Sequence, residues 1–374
     1  MATSFNDSFT FSQQEIERDF DSFHKTFKHY GVAVITNVFA PEECDYHTDA
    51  ILSAFENLGT GVRRDDVDTW KPKPLCRIPH QKRVCLFQQI FSNLPNIWDI
   101  RSDDRLVSFF ARLYGDEHLI VSGDGINVAL NGRTQQRSAN IDWAHLDSVG
   151  PFDGCIQGQV VLTDTSAAFR CSPRSHAIYK TYMLRELNET RKTNKNWHKL
   201  NAAQIEWFKE HMPEDGQYQV RIPAPRGSVI LWYSNVLHSA ASAQETVAEV
   251  PADNPYMGTR CVVYVSYQTV SMYYDRPPVA KKRGEKNKRK NHEYSRNEQI
   301  EARAKTVKAN VSTNHRGQPM PYKRGRFAPP ASHEVVDAIQ ADPSKVYDLL
   351  GFTPKPLWDD KCARLAGIKP YPSQ

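Results

Sequence analysis

The sequence lacks any hydrophobic run of the length that a membrane-spanning helix requires. Such a helix needs ~20 consecutive apolar residues, whereas the apolar stretch 31–35 (GVAVI) has only the length of a strand. Residues 1–10 are polar and contain neither the basic nor the apolar part of a secretory signal. Both absences predict an intracellular protein, cytoplasmic or nuclear, without a membrane partner.

Cysteine is sparse and scattered. The chain has 7 cysteines, none of them in a Cys-x-x-Cys pair. A zinc ribbon needs closely spaced cysteine pairs, and the disulfide framework of a small secreted domain normally uses an even number of cysteines. We therefore expect free thiols in a reducing compartment and neither kind of scaffold.

The positive charge of the chain is concentrated in one segment. The formal net charge is +5, yet residues 281–326 alone contain 15 Lys and Arg against 4 Glu, so the rest of the chain is mildly acidic. Three interpretations stay open for this segment: nucleic-acid binding through phosphates, a nuclear address, or a solvated linker. We expect a basic linker or arm over residues 281–330 and a C-terminal tail, 331–374, that docks on the core.

The pattern of apolar residues divides the expected main domain, 1–280, into a helical part and a β-rich part. Helical spacing, as between Phe20 and Phe23, predicts helices within residues 13–115. From about residue 119 to 270, short β-like runs alternate with Gly, Pro, Asn and Asp. About eight such runs favour an antiparallel sandwich or barrel. The expected fold is mainly β with flanking helices (α+β).

Two His-x-Asp sequences are candidate metal-binding pairs. His47 and Asp49 lie on a helix that Pro41 is expected to begin. Residues two apart on a helix point about 200° away from each other, so this pair cannot share an ion, and we expect both side chains on the surface. His145 and Asp147 lie at the end of a predicted strand, where such residues project from one face. The second pair is therefore the better candidate.

A third metal ligand is expected from a later strand. His238 lies in the run NVLHSA near the other end of the β region. Two histidines and one carboxylate on one face of a ferrous ion leave three positions open, as in the facial triad of non-haem Fe(II) oxygenases. Two open positions suit a chelating 2-oxo acid and one suits O2, whereas zinc prefers a closed tetrahedron or a single open position.

The distal carboxylate of 2-oxoglutarate requires a fixed cation. Arg260 opens an apolar strand, and arginine offers a carboxylate two parallel N–H groups, which lysine cannot. On neighbouring strands, Gln157, Gln159 and Asn127 are candidates for orienting the ligands or binding the cosubstrate. Ordinary polar positions on a sheet explain these three equally well.

The loop 129–140, just before the metal strand, is a candidate lid over the pocket. In that interpretation Arg133 and Arg137 grip an anionic substrate, and Trp143 lines the pocket. A solvated loop and a packed tryptophan are the alternatives.

Over about residues 28–270 the sequence resembles the phytanoyl-CoA dioxygenase family of Fe(II)/2-oxoglutarate oxygenases. The opening YGVAVITNVFAPEEC is similar to that family's first strand and helix, DWAHLDS to its iron motif, and RGSVILWYSNVLHSA to the strands bearing its distal histidine. CIQGQVVLTDTSAAFRCSPRSH resembles the strands between them, with Arg174 where the turn usually has glycine. The resemblance implies a double-stranded β-helix (jelly-roll, cupin-like) core.

The resemblance also implies site residues and an activity. It implies that His145, Asp147 and His238 bind iron and that Arg260 anchors 2-oxoglutarate. The implied enzyme hydroxylates a small organic substrate with O2 and decarboxylates 2-oxoglutarate oxidatively to succinate and CO2, with ascorbate as a supporting reductant. Asp147 favours hydroxylation, because halogenating relatives have Ala or Gly there. The alternative is a non-catalytic jelly-roll scaffold or a nucleic-acid-associated protein that uses residues 281–326.

Overall fold

A computed structural model describes most of the chain. The described residues are 5–59, 61–70, 80–81, 86–88, 91–131, 143–147, 154–185, 197–244, 246–274, 295–319, 338 and 341–372. Within them, no helix is both long and apolar enough to cross a bilayer.

In this part of the chain, fourteen strands form two sheets. In chain order the strands are β1 Thr10–Ser12, β2 Val32–Thr36, β3 His80–Gln81, β4 Leu86–Phe87, β5 Leu119–Val121, β6 Ile126–Ala129, β7 His145–Leu146, β8 Ile156–Val161, β9 Phe169–Cys171, β10 His198–Lys199, β11 Val220–Ile222, β12 Val229–Tyr233, β13 His238–Ala240 and β14 Arg260–Thr269. The larger sheet has the order β1-β2-β12-β8-β14-β6-β4-β3, with β5 also paired to β14. The smaller sheet has the order β10-β7-β13-β9-β11.

The larger sheet is buried on both faces. Alternate residues of one strand enter different apolar clusters: Leu231 and Val263 pack with the helices, whereas Ile230 and Val262 pack in the space between the sheets. Side chains alternate across a strand, so a strand covered on both sides needs apolar residues at successive positions. This explains the continuous apolar runs at 229–233 in β12 and at 261–265 in β14.

The two sheets share an apolar cluster and form a jelly-roll core. Trp232 and Val262 contribute to this cluster from the larger sheet, and Phe169 and Ile222 contribute from the smaller one. Nearly all of the strand pairings are antiparallel; the described exception is β1 with β2. The expected fold, mainly β with flanking helices around a jelly roll, is confirmed.

Helices from both ends of the chain pack on the outer face of the larger sheet, whereas the helices at 175–185 and 202–211 pack together beside Leu146 of the smaller sheet. The helices are α1 Gln13–Arg18, α2 Phe20–Tyr30, α3 Pro41–Asn57, α4 Pro95–Arg101, α5 Asp104–Tyr114, α6 Ser175–Arg185, α7 Ala202–His211, α8 Val270–Tyr274, α9 Arg296–Lys308, α10 Lys345–Leu349 and α11 Asp360–Leu365. Three 3-10 turns are Phe5–Phe9, Val67–Trp70 and Lys355–Leu357.

Local sequence explains where these helices begin and end. The side chain of Asp103 accepts a hydrogen bond from the main-chain N–H of Arg105 and caps α5. Gly115 ends that helix in the left-handed conformation, which glycine adopts without steric cost. Pro41 occupies the first turn of α3, where its missing N–H removes no helical hydrogen bond.

His47 on α3 differs from the sequence prediction. We expected it on the surface, but it is buried, whereas Asp49 is exposed and pairs with Arg64. The apolar face of α3 includes Cys44 and Ile51, and helical spacing places position 47 on that same face. The surface prediction for His47 was wrong because position 47 lies on the apolar face of α3.

Part of the segment 281–330, which we predicted to be a basic linker or arm, packs on the core. α9 lies in this segment, and its Arg303 is buried. The Arg303 guanidinium donates to the main-chain oxygens of Ala366, Gly317 and Val121 at 2.9, 2.8 and 3.1 Å. Hydrogen bonds of this buried polar side chain attach the segment to the core, so the segment shows little apolar periodicity. Residues 281–294 and 320–330 lie outside the described residues.

Candidate metal centre

Two histidines occupy paired positions in neighbouring strands of the smaller sheet. His145 begins β7 and His238 begins β13, and the two residues lie directly opposite each other in antiparallel register. Their ring centroids are 4.2 Å apart. Asp147 immediately follows β7, and its main-chain N–H donates to the oxygen of Ser234 at 3.0 Å. Sheet hydrogen bonding therefore brings together residues that are far apart in the sequence.

The side chains of His145, Asp147 and His238 converge on one point. One candidate ligand atom from each lies within 4.8 Å of the other two. The Oδ2 atom of Asp147 is 3.3 Å from Nε2 of His238, and its Oδ1 atom is 3.7 Å from Nε2 of His145. Ligand atoms that bind one ion at about 2.1 Å and at right angles lie roughly 3 Å apart. The three side chains fit a single divalent cation.

Main-chain carbonyls fix which nitrogen of each histidine faces this point. The Nδ1 atom of His145 is 3.2 Å from the oxygen of Trp143, and Nδ1 of His238 is 2.9 Å from the oxygen of Val236. A carbonyl only accepts hydrogen bonds, so each Nδ1 carries a proton and donates. The lone pair then lies on Nε2, on the side of Asp147, where a metal ligand requires it.

Burial and mutual charge determine the protonation of the site. Burial, and after it the neighbouring His238, lowers the pKa of His145 to about 3, so its imidazole is neutral at pH 7. Burial raises the pKa of Asp147, but His315, His145 and His238 outweigh that effect and hold the pKa well below its ordinary value. A buried carboxylate anion beside a neutral imidazole favours the binding of a cation.

Two further residues near the triad contact its members. Gln157 was a candidate for orienting the ligands or binding the cosubstrate, and its Nε2 donates to Oδ2 of Asp147 at 3.1 Å. The indole of Trp143, expected in the pocket wall, stacks on the ring of His145 at 4.4 Å with an angle of 17°. Both contacts restrict the rotation of the side chains that converge on the metal position.

One nitrogen of the Arg260 guanidinium has no hydrogen-bond partner in the part of the chain that the structure describes. Arg260 is buried; its Nε donates to Oδ1 of Asn127 at 3.0 Å and its Nη1 to the oxygen of Ala167 at 2.8 Å. Its Nη2 atom is buried and has no hydrogen-bond partner among the described residues. A buried donor without a partner is costly, so this nitrogen fits an anionic ligand such as a carboxylate.

Strand geometry places Arg260 on the face of β14 that looks toward the triad. Val262, two residues along, projects from the same face and packs in the inter-sheet cluster with Phe169 and Trp232. The rings of Phe169 and Trp232 lie 5.9 and 5.5 Å from the ring of His238. Arg260 therefore lies on the strand face that contributes to the inter-sheet cluster, and two rings of that cluster lie beside the ring of His238.

A third histidine, beside the two of the triad, was not predicted from the sequence. His315 comes from the C-terminal part of the chain and is buried. Its Nε2 is 3.0 Å from the main-chain oxygen of Asp147, and its Nδ1 is 3.7 Å from Oδ2 of the same residue. The Asn-x-x-Gly sequence that contains it (314–317) signals a turn, but no local pattern links that turn to Asp147.

Two expected substrate residues, Arg133 and Arg137, lie outside the described residues.

Arg174 occupies the turn position where the sequence resemblance leads us to expect glycine. It adopts the left-handed conformation that favours glycine, with a φ of 75°. Its Nε donates to Oδ1 of Asp215 at 2.9 Å and its Nη1 to the oxygen of His29 at 3.0 Å. These two hydrogen bonds stabilise Arg174 in the left-handed conformation of this turn.

Iron- and 2-oxoglutarate-dependent oxygenases are the class of protein that this fold and this site define. Within that class, the sequence matches the family described as phytanoyl-CoA dioxygenase (PhyH) over residues 27–244, and the chain belongs to that family. The matched region includes His145, Asp147 and His238 and ends before Arg260.

Individual similar proteins are distant in sequence. "Ava biosynthesis cluster protein O" of Aspergillus versicolor is 21% identical over 252 residues, which cover 62% of this chain and 78% of that protein. The crystal structure of GlcNAc Inducible Gene 2, GIG2 (DUF1479), from Candida albicans is 12% identical with a TM-score of 0.56, over 99% of this chain and 83% of that one. The epimerase SnoN, in complex with Fe3+, alpha ketoglutarate and nogalamycin RO, is 14% identical with a TM-score of 0.43, over 69% and 85%.

The similarity in fold to the Candida albicans protein reaches beyond the family region. Because it covers 99% of this chain, it includes α9, α10 and α11, which follow the matched residues 27–244. The C-terminal helices are therefore part of a fold that is seen in another protein.

Proposed function

We propose that this oxygenase hydroxylates a small organic substrate while 2-oxoglutarate is decarboxylated to succinate and CO2. The balanced reaction converts R–H, O2 and 2-oxoglutarate into R–OH, succinate and CO2. The observation that carries the proposal is the convergence of the Nε2, carboxylate and Nε2 atoms of the triad on one point, together with a buried Nη2 of Arg260 that has no hydrogen-bond partner among the described residues. This combination suits a metal ion and a dicarboxylate together.

In this proposal His145, Asp147 and His238 hold Fe(II). When bound, the metal and 2-oxoglutarate supply the activation of O2, which no amino-acid side chain provides. The protein keeps both Nε2 lone pairs free by engaging each Nδ1 with a main-chain oxygen. Gln157 holds one carboxylate oxygen of Asp147, which limits how that carboxylate turns toward the ion.

Arg260 binds the distal carboxylate of 2-oxoglutarate in this proposal. Asn127 and the oxygen of Ala167 occupy two of its guanidinium nitrogens and fix its plane. The remaining Nη2 is therefore fixed in orientation before 2-oxoglutarate binds. The carboxylate then meets a donor that is already oriented. Asn127, expected to bind the cosubstrate itself, acts through Arg260.

The pocket wall excludes water from the reacting carbon. Phe169 and Trp232 cover the side of His238, and Trp143 covers His145. Apolar rings beside the metal position favour a C–H group over water and suppress side reactions. We propose Trp143 as a substrate-contacting residue, and for Arg133 and Arg137 the same role remains a prediction.

The alternative function, nucleic-acid binding through residues 281–326, gains no support from the described contacts. Arg303 of this segment is buried against three main-chain oxygens, and His315 is buried against Asp147. Both residues are therefore engaged by the oxygenase core and not available to phosphates.

A turnover assay tests the proposal. Purified protein is incubated with Fe(II), ascorbate, 2-oxoglutarate and O2, with and without a small-molecule cell extract, and succinate is measured. We expect succinate from the wild type and a loss of at least about 100-fold in His145→Ala and Asp147→Ala. The control His211→Ala removes an exposed histidine that stacks on Trp207 and should keep wild-type turnover.

Labelling identifies the reaction type. With 18O2 and the extract, hydroxylation predicts a product that gains one 18O atom in step with succinate formation. Succinate with an unlabelled, rearranged product would contradict hydroxylation while keeping the oxygenase class. Absence of succinate from the wild type under all conditions would favour the non-catalytic scaffold.

A further inference from the structure

The segment 310–319, called here the strap, reaches the candidate metal centre from outside the family region. It follows α9 and lies beyond the matched residues 27–244. Asn310, Ser312, Thr313 and His315 of the strap are all buried. A polar sequence with this degree of burial must have its hydrogen-bonding groups engaged.

The strap is fixed to the body of the protein on both sides of His315. Before it, Thr313 and Gly123 exchange two hydrogen bonds: the Thr313 N–H donates to the Gly123 oxygen at 2.8 Å, and the Gly123 N–H donates to Thr313 Oγ1 at 2.7 Å. After it, the Gly317 oxygen accepts from the Tyr273 hydroxyl at 3.1 Å and from Arg303 Nη1 at 2.8 Å. These bonds hold the strap in one position.

His315 lies in a tight turn with little conformational freedom. The Gly317 N–H donates to the Asn314 main-chain oxygen at 2.8 Å. The Asn314 side-chain oxygen accepts from the N–H groups of Arg316 and Gln318, each at 3.0 Å. Gly317 has a φ of 71°, and a Cβ there would lie 2.5 Å from the Tyr273 ring. The turn is thus preorganised and presents His315 rigidly.

His315 completes the hydrogen bonding of the Asp147 main chain. The Asp147 N–H donates to Ser234, and its oxygen accepts from Nε2 of His315 at 3.0 Å. On the side chain, Gln157 donates to Oδ2, and the ring of His315 lies 3.7 Å from the same atom. His315 therefore contacts both the main chain and the side chain of Asp147.

We propose that His315 is a positioning residue for Asp147 and that the strap is a working part of the metal site. This inference rests on the proposed function, since it concerns the same metal. His315 does not join the group of candidate ligand atoms; it acts through Asp147. It follows that the family region alone forms an incomplete site, and that metal affinity depends on a histidine 168 residues away from the ligand that it holds.

A metal titration of the full chain tests this inference without relying on turnover. The probe is Co(II), followed by its visible absorption, with the wild type, His315→Ala, His315→Gln and Tyr273→Phe. Removing a group that orients a metal ligand typically weakens metal binding 10- to 100-fold, and we expect a Kd increase of about that size for His315→Ala. We expect His315→Gln to recover part of the loss, because its amide can donate to the Asp147 oxygen.

Tyr273→Phe is the matched control for a merely structural effect. It removes the Tyr273 bond to the Gly317 oxygen, while Arg303 Nη1 still donates to that oxygen, so the protein loses stability but His315 keeps its position. The melting temperature of each metal-free variant is measured in parallel. We expect Tyr273→Phe to lower the melting temperature while its Kd stays within twofold of the wild type.

The outcomes separate this inference from the proposed function. If the wild type fails to bind Co(II), the proposed function fails and the inference with it. If the wild type binds Co(II) and His315→Ala binds it equally well, only the inference is overturned. Equal weakening by His315→Ala and Tyr273→Phe would also overturn it, because the strap would then act through general stability. If His315→Ala does not fold, the Kd values of His315→Gln and Tyr273→Phe for Co(II) are compared. A higher Kd for His315→Gln supports the inference, and equal Kd values overturn it.

Discussion

His145 and His238 are paired directly across β7 and β13, with their ring centroids 4.2 Å apart. The spacing of two candidate metal ligands is therefore set by the hydrogen-bond register of a sheet. Sites that are built on strands hold their geometry more closely than sites that are built on loops. This pairing holds the two histidines rigidly. Asp147, the residue that follows β7, completes the candidate site.

Arg260→Lys should weaken 2-oxoglutarate binding and leave metal binding unchanged. Lysine keeps the charge but cannot bond Asn127 and Ala167 while presenting a second donor to a carboxylate. We expect the Kd for 2-oxoglutarate to rise about 10- to 100-fold, which corresponds to roughly 1.4–3 kcal/mol. Calorimetric titration of the Mn(II)-loaded protein measures this change.

Arg221→Lys is the control for that substitution. Arg221 lies on β11 and donates to the oxygens of Ser166 and Ser242 at 2.8 and 3.0 Å. It should leave the Kd for 2-oxoglutarate within about twofold of the wild type. Equal Kd values for the wild type and Arg260→Lys would show that another group binds the distal carboxylate.

Arg303→Met should destabilise the docking of the C-terminal helices. The methionine fills part of the space but removes the Arg303 donor from the oxygens of Ala366 and Val121, and it leaves the Gly317 oxygen with the Tyr273 hydroxyl alone. Buried groups that lose their partners cost about 1–3 kcal/mol each, so we expect the free energy of unfolding in urea to fall by about 3 kcal/mol or more. Arg296→Met, at an exposed position on the same helix, should change it by less than about 0.5 kcal/mol.

Stability should decrease as the pH falls below about 6.5, in part through His47. Burial lowers the pKa of His47 below its ordinary value of 6.5. As the pH falls below that value, the unfolded chain binds a proton that folded His47 does not, so the free energy of unfolding drops. One such group contributes a slope of up to ~1.4 kcal/mol per pH unit.

The variant His47→Leu isolates this contribution. Urea unfolding of the metal-free protein between pH 8 and 5 should give a shallower slope for the variant than for the wild type. Parallel curves for the two proteins would mean that folded His47 binds a proton as readily as the unfolded chain does.

The sequence predicted those features of the fold that depend on local patterns. The β-like runs of the core, the proline start of α3 and the glycine end of α5 each follow from neighbouring residues. The jelly-roll arrangement and the family came from a resemblance spread over several motifs, which the family match confirms. The burial of His47 was also readable, because Cys44 and Ile51 mark the same helical face.

The part that the sequence did not predict depends on contacts between distant segments. The strap has a polar composition, so hydrophobic periodicity gives no sign that it is buried. His315 meets Asp147 across 168 residues, and Arg303 joins three separate segments through main-chain oxygens. Main-chain acceptors are present in every residue, so a sequence alone does not indicate which of them a buried arginine or histidine will bind.

A crystal structure of the Mn(II)-loaded protein with 2-oxoglutarate, with the metal located by its anomalous scattering, tests the central claim most directly. We expect one metal position per chain, bonded at about 2.0–2.2 Å to Nε2 of His145, Nε2 of His238 and one oxygen of Asp147. A metal bound elsewhere, or bound without Asp147 or either histidine, would contradict it.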